Sequence, residues 1–503
     1  IVDVLNNGTD SENYVALNFD ASPQGGTVPP PGLARTISSY WLYKFYGTAG
    51  DYYSWVSIDE TSSLLPGEGF TMKGTSASVP ISTLQNYVFA GLPNNGDITL
   101  ALDKLSGDVN RLIGNPYPSA IDAREFILDN LSIADGGNNV NGTVFNGALY
   151  FWDHFGQENT HALSGYVGGY ATRNLTGGAV AISNDSRINT TSDAGNPATG
   201  SKIPGAYIPV NQGFFVSTSL DGFNNDNDPA TPISSVVGGN IIFKNSQRVF
   251  ATEDGSTSMF MKFAKNKKTS SKVSNTDENS KPLIRLMYDS PLGYHRQIVI
   301  GVNEMASNGF DLGYDAFMAD ISEEDMYWVY DKSKFVIQGV NNFNKDQAFL
   351  LGVKVKTRGI INIKVDDLIN VDANQEIYIK DMYTGETFDI KKQPFQTILD
   401  PGSYDDRFYL VFQPSQKTLG LSEIELANKC IAFYESQNDN LTIVLKSDSV
   451  VTDGSIFNVM GQKMKSIKRF SGRTSIPLKL SSGTYIIQLN TIEGVINKKI
   501  IIN

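Results

Sequence analysis

The sequence predicts a mostly β protein, a tandem array of β-sandwich domains ending in a small Ig-like β-sandwich. Three observations predict it. Only 19% of the 503 residues are charged, while Tyr (23), Phe (27) and Gly (46) are plentiful, a mixture that suits strands joined by turns. Short apolar or alternating runs recur between turn clusters rich in Gly, Asn, Ser and Asp, the pattern of half-buried strands. Only one stretch, 119–131, carries a clear helical spacing. The same composition excludes a collagen, a coiled coil and a disordered chain. The length suggests about three or four domains.

The elements follow in order. Residues 1–37 hold one or two weak strands and the Pro29-Pro30-Pro31-Gly32 break, where fixed φ angles and missing donors make a stiff boundary. Residues 38–250 form a first β-rich domain, with strands expected at 40–45, 86–90, 148–152 and 212–216. Its helix spans 119–131: Ser119 can cap, and Ile121, Phe126, Ile127 and Leu131 share a face. The stretch 176–205 reads as long loops. Residues 251–414 form a β-sandwich domain, with a strand at 259–263, an exposed Lys-rich loop at 265–281, and strands at 283–288, 297–302, 360–365, 376–380 and 408–412. Tyr383-Thr384-Gly385-Glu386 reads as a hairpin turn. Residues 415–427 are a linker. Residues 428–503 make the last sandwich, with strands at 441–445, 455–459, 475–480, 484–489 and 495–502. Its turns are placed at Asp453-Gly454, Met460-Gly461, Ser482-Gly483 and Glu493-Gly494.

Charge excludes some roles and is unevenly spread. The net charge is −12, which argues against a nucleic-acid partner. Residues 425–503 carry ten Lys or Arg against six Asp or Glu, so a basic end follows an acidic body. No apolar run approaches the roughly 18–20 residues of a membrane helix. Cys430 stands alone, so no intrachain disulfide forms, and it reads as a small buried residue. The chain opens Ile1-Val2-Asp3-Val4, without Met or signal segment, and is expected to be a mature or partial product of a longer precursor.

The last sandwich holds the most specific signal. Asn458-Val459-Met460-Gly461-Gln462-Lys463-Met464 is followed by Leu480-Ser481-Ser482-Gly483-Thr484-Tyr485-Ile486-Ile487-Gln488-Leu489, and the chain closes Lys498-Lys499-Ile500-Ile501-Ile502-Asn503. In order, spacing and terminal position this resembles the type A C-terminal sorting domain of the type IX secretion system of Bacteroidota. It departs from that pattern in lacking Pro within 431–436 and in ending on Asn503. Segments upstream are similar to large surface proteins of this class: Asn115-Pro116-Tyr117-Pro118, Tyr150-Phe151-Trp152-Asp153-His154, Gly213-Phe214-Phe215-Val216, Gly313-Tyr314-Asp315-Ala316 and Asp405-Asp406-Arg407-Phe408. The resemblance implies a secreted or cell-surface cargo, exported through periplasm and outer membrane. It implies docking on the outer-membrane translocon and its shuttle β-barrel, then removal of the domain by a sortase-like peptidase near 415–430. It places recognition on Gly461, Gln462, Lys463, Gly483, Tyr485, Lys498, Lys499, Ile501 and Asn503. The physical reading is that Gly461 and Gly483 supply turn geometry, while Tyr485, Ile487 and Leu489 share one face of a strand.

No enzyme is expected. His154, His161 and His295 lack the spacing of a zinc site, and no nucleophile elbow, phosphate loop or dinucleotide fingerprint occurs. Paired acids such as Asp59-Glu60, Glu323-Glu324 and Asp366-Asp367 read as surface. Asp221, Asn224, Asp226 and Asp228 gather hard oxygen donors suited to calcium, without the Gly and closing Glu of an EF-hand. Tyr40, Trp41, Tyr43, Tyr46, Tyr52, Tyr53 and Trp55 cluster near the start and can stack on a surface glycan. The function expected is therefore a surface adhesion or gliding-related protein. The alternatives are the non-catalytic part of a secreted hydrolase and a glycan-binding module.

Overall fold

The structure, a computed structural model, describes residues 5–7, 15–23, 36–48, 51–74, 87–89, 91–104, 107–154, 168–183, 200, 202–220, 236–252, 258, 281–319, 321–414, 430–435, 438–445, 450–491 and 494–502. The expected strand at 259–263, the lysines of 265–280, the Pro29–Gly32 break and the linker 415–427 fall outside these. The chain divides into two compact units. One holds Ile1–Ile377, Asp389–Asp406 and Leu410–Phe412; the other holds Tyr378–Phe388, Arg407–Tyr409 and Gln413–Asn503.

In the first unit a seven-stranded sheet runs in the order Gly178–Ala179, Gly168–Arg173, Leu149–His154, Gly213–Ser217, Val109–Gly114, Tyr43–Thr48, Trp55–Ser57. The strand expected at 40–45 begins only at Tyr43, because Ser39–Trp41 forms a 3-10 turn. The Ala123–Asn130 helix and the paired strands Ile98–Asp103 and Gly238–Phe243 supply Phe126, Ile127, Leu100, Leu102, Ile241 and Phe243 to the core, together with Leu149, Phe151, Phe214 and Val216 of the sheet. Phe126 lies 5.0 Å from Phe243 and 5.7 Å from Phe214. The helix starts later than expected. Residues Ala120–Asp122 form a short strand, and Asp122 is the cap, accepting the N–H groups of Arg124 and Glu125. Ser119 instead accepts Arg248 Nε at 3.0 Å. A carboxylate at the helix start also meets the positive end of the helix dipole.

Residues 281–411 build a second, mixed sheet. Part of its order is Gly402–Val411, Ala348–Val355, Asp325–Tyr330, Ser333–Val340, His295–Val302, Leu283–Asp289, Gly359–Ile369, Phe395–Leu399. One pair is parallel, Val299↔Ile337 through Val302↔Val340. The sheet curls on itself: Tyr288 Oη reaches the Lys354 carbonyl at 3.5 Å, although their strands are separated by three others. Arg296 and Asp325, both buried, form a bidentate pair at 2.7 and 2.8 Å. Glu324, also buried, accepts the N–H groups of Lys356, Thr357 and Leu292. The acids expected at the surface are thus divided: Glu324 knits the interior, and Glu323 pairs with Lys356 outside.

Residues on either side of position 250 share one core, since Ala306, Leu312 and Tyr314 join the cluster built around Phe126. The Gly313-Tyr314-Asp315-Ala316 segment makes this junction. The Gly313 carbonyl accepts Leu175 N–H at 2.8 Å, and that of Tyr314 accepts Asn174 Nδ2 and Thr176 Oγ1, each at 2.7 Å. Asp315 is buried and takes the N–H groups of Asp311 and Gly339. Gly313 and Gly147 meet backbone to backbone: a Cβ on Gly147 would lie 2.3 Å from the Gly313 Cα.

In the second unit, residues 430–502 form a two-layer sandwich. One layer runs Cys430–Glu435, Asn440–Leu445, Arg473–Pro477; the other runs Lys463–Ile467, Val450–Asn458, Gly483–Thr491, Gly494–Ile502. Leu441, Ile443, Ile456, Ile487, Leu489, Ile496 and Ile500 fill the space between them. Asp453-Gly454 is not a turn. It lies within Val450–Asn458, where the register shifts between Val451 and Asp453. Gly454 is needed there because a Cβ would press on the Gln488 carbonyl at 2.7 Å.

Candidate functional site

The residues that carry the terminal resemblance fall on one sheet. Val450–Asn458 and Lys463–Ile467 form a hairpin, and Asn458 organises its tip. Asn458 Oδ1 accepts Met460 N–H at 3.0 Å and Gln462 N–H at 2.9 Å, and its Nδ2 donates to Gln462 Oε1 at 2.8 Å. Gly461 has φ +76°, the left-handed conformation a turn requires here. Gln462 therefore locks the turn, while Val459 and Met460 project from it, 70% and 80% exposed. Asn458 was not among the expected site residues, although an Asn three positions before a turn Gly is the relevant signal.

Gly483 behaves differently from Gly461. It opens the strand Gly483–Thr491 and pairs with Ile502, so it is a strand residue and not the tip of a turn. Tyr485 is buried, and its hydroxyl donates to the Ser481 carbonyl at 3.0 Å. It packs with Ile487 and Leu489 as alternation demands, while Ile486 faces outward. Successive Cα pairs align Lys463 with Phe457, Phe457 with Ile486 and Ile486 with Lys499. Lys463, Ile486 and Lys499 are exposed in that row, and Ile501 is 65% exposed beside it. Lys498 is half-buried and near Cys430, whose thiol is pushed up by burial and drawn down by that lysine. The site thus splits into groups that hold the fold (Gly461, Gln462, Gly483, Tyr485) and groups exposed on the sheet surface (Lys463, Lys499, Ile501). Asn503 lies outside the described residues.

The other expected sites are placed as follows. Asp221, Asn224, Asp226 and Asp228 lie outside the described residues, as does His161. Among the described residues no group of three His, Cys, Asp or Glu side chains is close enough to share a metal ion. His154 ends the strand Leu149–His154. His295 Nδ1 is 2.7 Å from Asp289 Oδ1, and Lys364 Nζ is 2.7 Å from Oδ2 of the same carboxylate. Asp153 is buried beside Lys202, 3.5 Å away; burial pushes its carboxyl up and the lysine draws it down. Burial lowers the Lys73 ammonium to about 8, and its Nζ sits 4.0 Å from the centre of the Trp41 ring.

The aromatic cluster is partly structural. Trp55 packs against Phe45 and Phe215 at 5.0 and 5.9 Å, and Trp41 Nε1 donates to the Pro23 carbonyl. Tyr46 stacks under the Arg111 guanidinium and accepts Asp103 N–H. Tyr40 and Tyr53 remain exposed, Tyr53 at 91%. The side chain of Tyr52 lies outside the described set. Asn115 and Tyr117 build the Asn-Pro-Tyr-Pro turn: Asn115 Oδ1 accepts Tyr117 N–H, and the buried tyrosine donates to the Gly96 carbonyl at 2.7 Å.

Comparison with known families finds two matching regions. A domain of unknown function (DUF8693) matches residues 30–412. A secretion system C-terminal sorting domain matches residues 437–503. No curated protein matches the chain.

Proposed function

The chain belongs to the DUF8693 family and ends in a type IX sorting domain, and from that premise we propose that it is a non-catalytic surface protein whose body adheres to material outside the cell. The sorting domain makes the chain a cargo of the type IX secretion system, carried across the outer membrane to the surface or the medium, and it must meet that machinery. The finer part rests on the arrangement of the terminal sandwich. Its core is complete within residues 430–502, and Lys463, Lys499 and Ile501 stand outside it. In this reading the translocon and its shuttle barrel contact that exposed row, and a sortase-like peptidase then cuts within 415–430. The body is released or fixed to the surface, where it serves adhesion or gliding.

Two features of the body support a binding role. Its strands form large sheets with satisfied buried carboxylates, a rigid platform on which loops present ligand-contacting groups. Exposed tyrosines, Tyr40 and Tyr53, stand on its surface. Adhesion is tested by deleting the gene and scoring attachment to polysaccharide-coated and bare surfaces, with complementation by the full chain. Attachment restored by the full chain supports the role; unchanged attachment and spreading in the deletion strain would remove it.

A further inference from the structure

A cleft of about 340 Å³ opens at one end of the 281–411 sheet, far from the aromatic cluster in sequence. Two loops and the end of a strand line it. Phe343 and Lys345 come from the connection between Ser333–Val340 and Ala348–Val355; Asp372, Asn374, Gln375 and Glu376 follow Gly359–Ile369; Phe412 follows Gly402–Val411. All belong to the first unit.

The walls differ in chemistry. Phe343 is half-buried and forms the apolar side. Its ring is backed by Phe412, centroids 5.1 Å apart, and Phe412 is itself buried and 6.1 Å from Phe349. The exposed part of the ring is therefore held in one orientation by packing. The 372–376 loop supplies a polar wall with two acids, Asp372 and Glu376, while Lys345, two residues from Phe343 on the other loop, adds a positive charge. Asp372 spends Oδ1 on Asn374 N–H, and Gln375 spends Nε2 on the Glu376 carbonyl. Those bonds leave Asp372 Oδ2 and Gln375 Oε1 as acceptors, and the exposed Asn374 and Lys345 side chains as donors. The wall is also stiff: Lys391 Nζ ties the carbonyls of Ala373 and Gln375, each at 2.8 Å, and Gln375 N–H closes on the Asp372 carbonyl.

An aromatic ring sharing a cleft with carboxylate, amide and ammonium groups matches a pyranose ring. The ring's C–H face is apolar and packs on an aromatic face; its equatorial hydroxyls pair with planar acceptors and donors at the edge. The volume lies at the small end of ligand sites, about right for one or two sugar rings. Mixed charge around the cleft suits a neutral sugar better than an anion. We propose that this cleft binds one or two pyranose rings of a surface or extracellular polysaccharide, with Phe343 as the stacking platform and Asp372, Asn374 and Lys345 as the hydroxyl-pairing groups. The proposal supplies a ligand for the adhesive reading and rests on it for biological purpose, but not for its test.

The test uses the purified full chain and saturation-transfer NMR with methyl glycosides of mannose, galactose, glucose and N-acetylglucosamine and their β-linked trisaccharides. At least one sugar should receive saturation. Phe343→Ala and the double variant Asp372→Ala/Asn374→Ala should each weaken its affinity by about ten-fold or more, while Leu92→Ala, at an exposed position outside the cleft, leaves it unchanged. The double variant replaces exposed side chains, so it keeps the fold if Phe343→Ala does not. Transfer to none of the sugars overturns the proposal. Binding lost in Tyr53→Ala and kept in the double variant also overturns it, because the sugar then sits on the other aromatic cluster. Sugar binding by the cleft with unchanged cell attachment in the deletion strain would sink the adhesive reading alone.

Discussion

Tyr117 holds its turn with one buried ring and one hydrogen bond, and burial raises its hydroxyl to about 12. Tyr117→Phe keeps the ring and leaves the Gly96 carbonyl unpaired, so it should cost about 1 kcal/mol in chemical denaturation. Gly147 is constrained twice, by φ +80° and by the Gly313 backbone against it. Gly147→Ala should cost about 2 kcal/mol or more, seen as a lower melting temperature. Asp289 gives a pH signature. Burial pushes its carboxyl up, but hydrogen bonds from His295 and Lys364 outweigh this and hold it below the usual 3.8. A lowered folded-state value adds stability above the unfolded value, and that stability is lost as pH falls through the folded one. The melting-temperature gap between wild type and Asp289→Asn, present at pH 7, should therefore shrink below about pH 4; a gap that widens on acidification would contradict the assignment. Pro116 and Pro118 bracket Tyr117 and mark its turn in the sequence, so this role has a local signal. The role of Asp289 has no local signal, since its partners His295 and Lys364 come from two other strands.

At the scale of elements, alternation carried most of the reading. Tyr485, Ile487 and Leu489 were assigned to one face from spacing alone, and the structure buries all three. Glycine was the weak point, because it serves turns and strand bulges equally. Gly461 is a turn residue with positive φ, whereas Gly454 sits mid-strand where a neighbouring carbonyl leaves no room for a side chain. Local sequence cannot separate the two cases, because the Gln488 carbonyl that decides the second is more than thirty residues away. Helix capping failed for a similar reason: Ser119 and Asp122 are both competent caps, and pairing of Ala120 and Ile121 with Val249 and Arg248 pushed the start to Asp122. The closing strand Gly494–Ile502 contributes Ile496, Ile500 and Ile502 to the terminal core. Ile500→Asp should cost about 3 kcal/mol or more by burying an unpaired charge. Limited proteolysis should then cut within 430–502 while leaving a fragment of the first unit intact.

For the whole molecule, the useful division was chemical before it was structural. An acidic body and a basic end were visible in the charge count, and the family matches divide the chain at nearly the same place. The cleft around Phe343 was invisible in the sequence. Its residues lie in three separate segments, and no local motif joins them until the sheet is folded. The central claim is that the terminal sandwich routes the body out of the cell. The most direct measurement is fractionation of a type IX-competent host expressing the full chain with a periplasmic signal, the same chain lacking residues 437–503, and a Lys463→Glu/Lys499→Glu variant. The account predicts the full chain at the surface or in the medium, the truncated chain trapped in the periplasm, and the charge-reversed chain folded but exported several-fold less. Export of the truncated chain at the full-length level would contradict it.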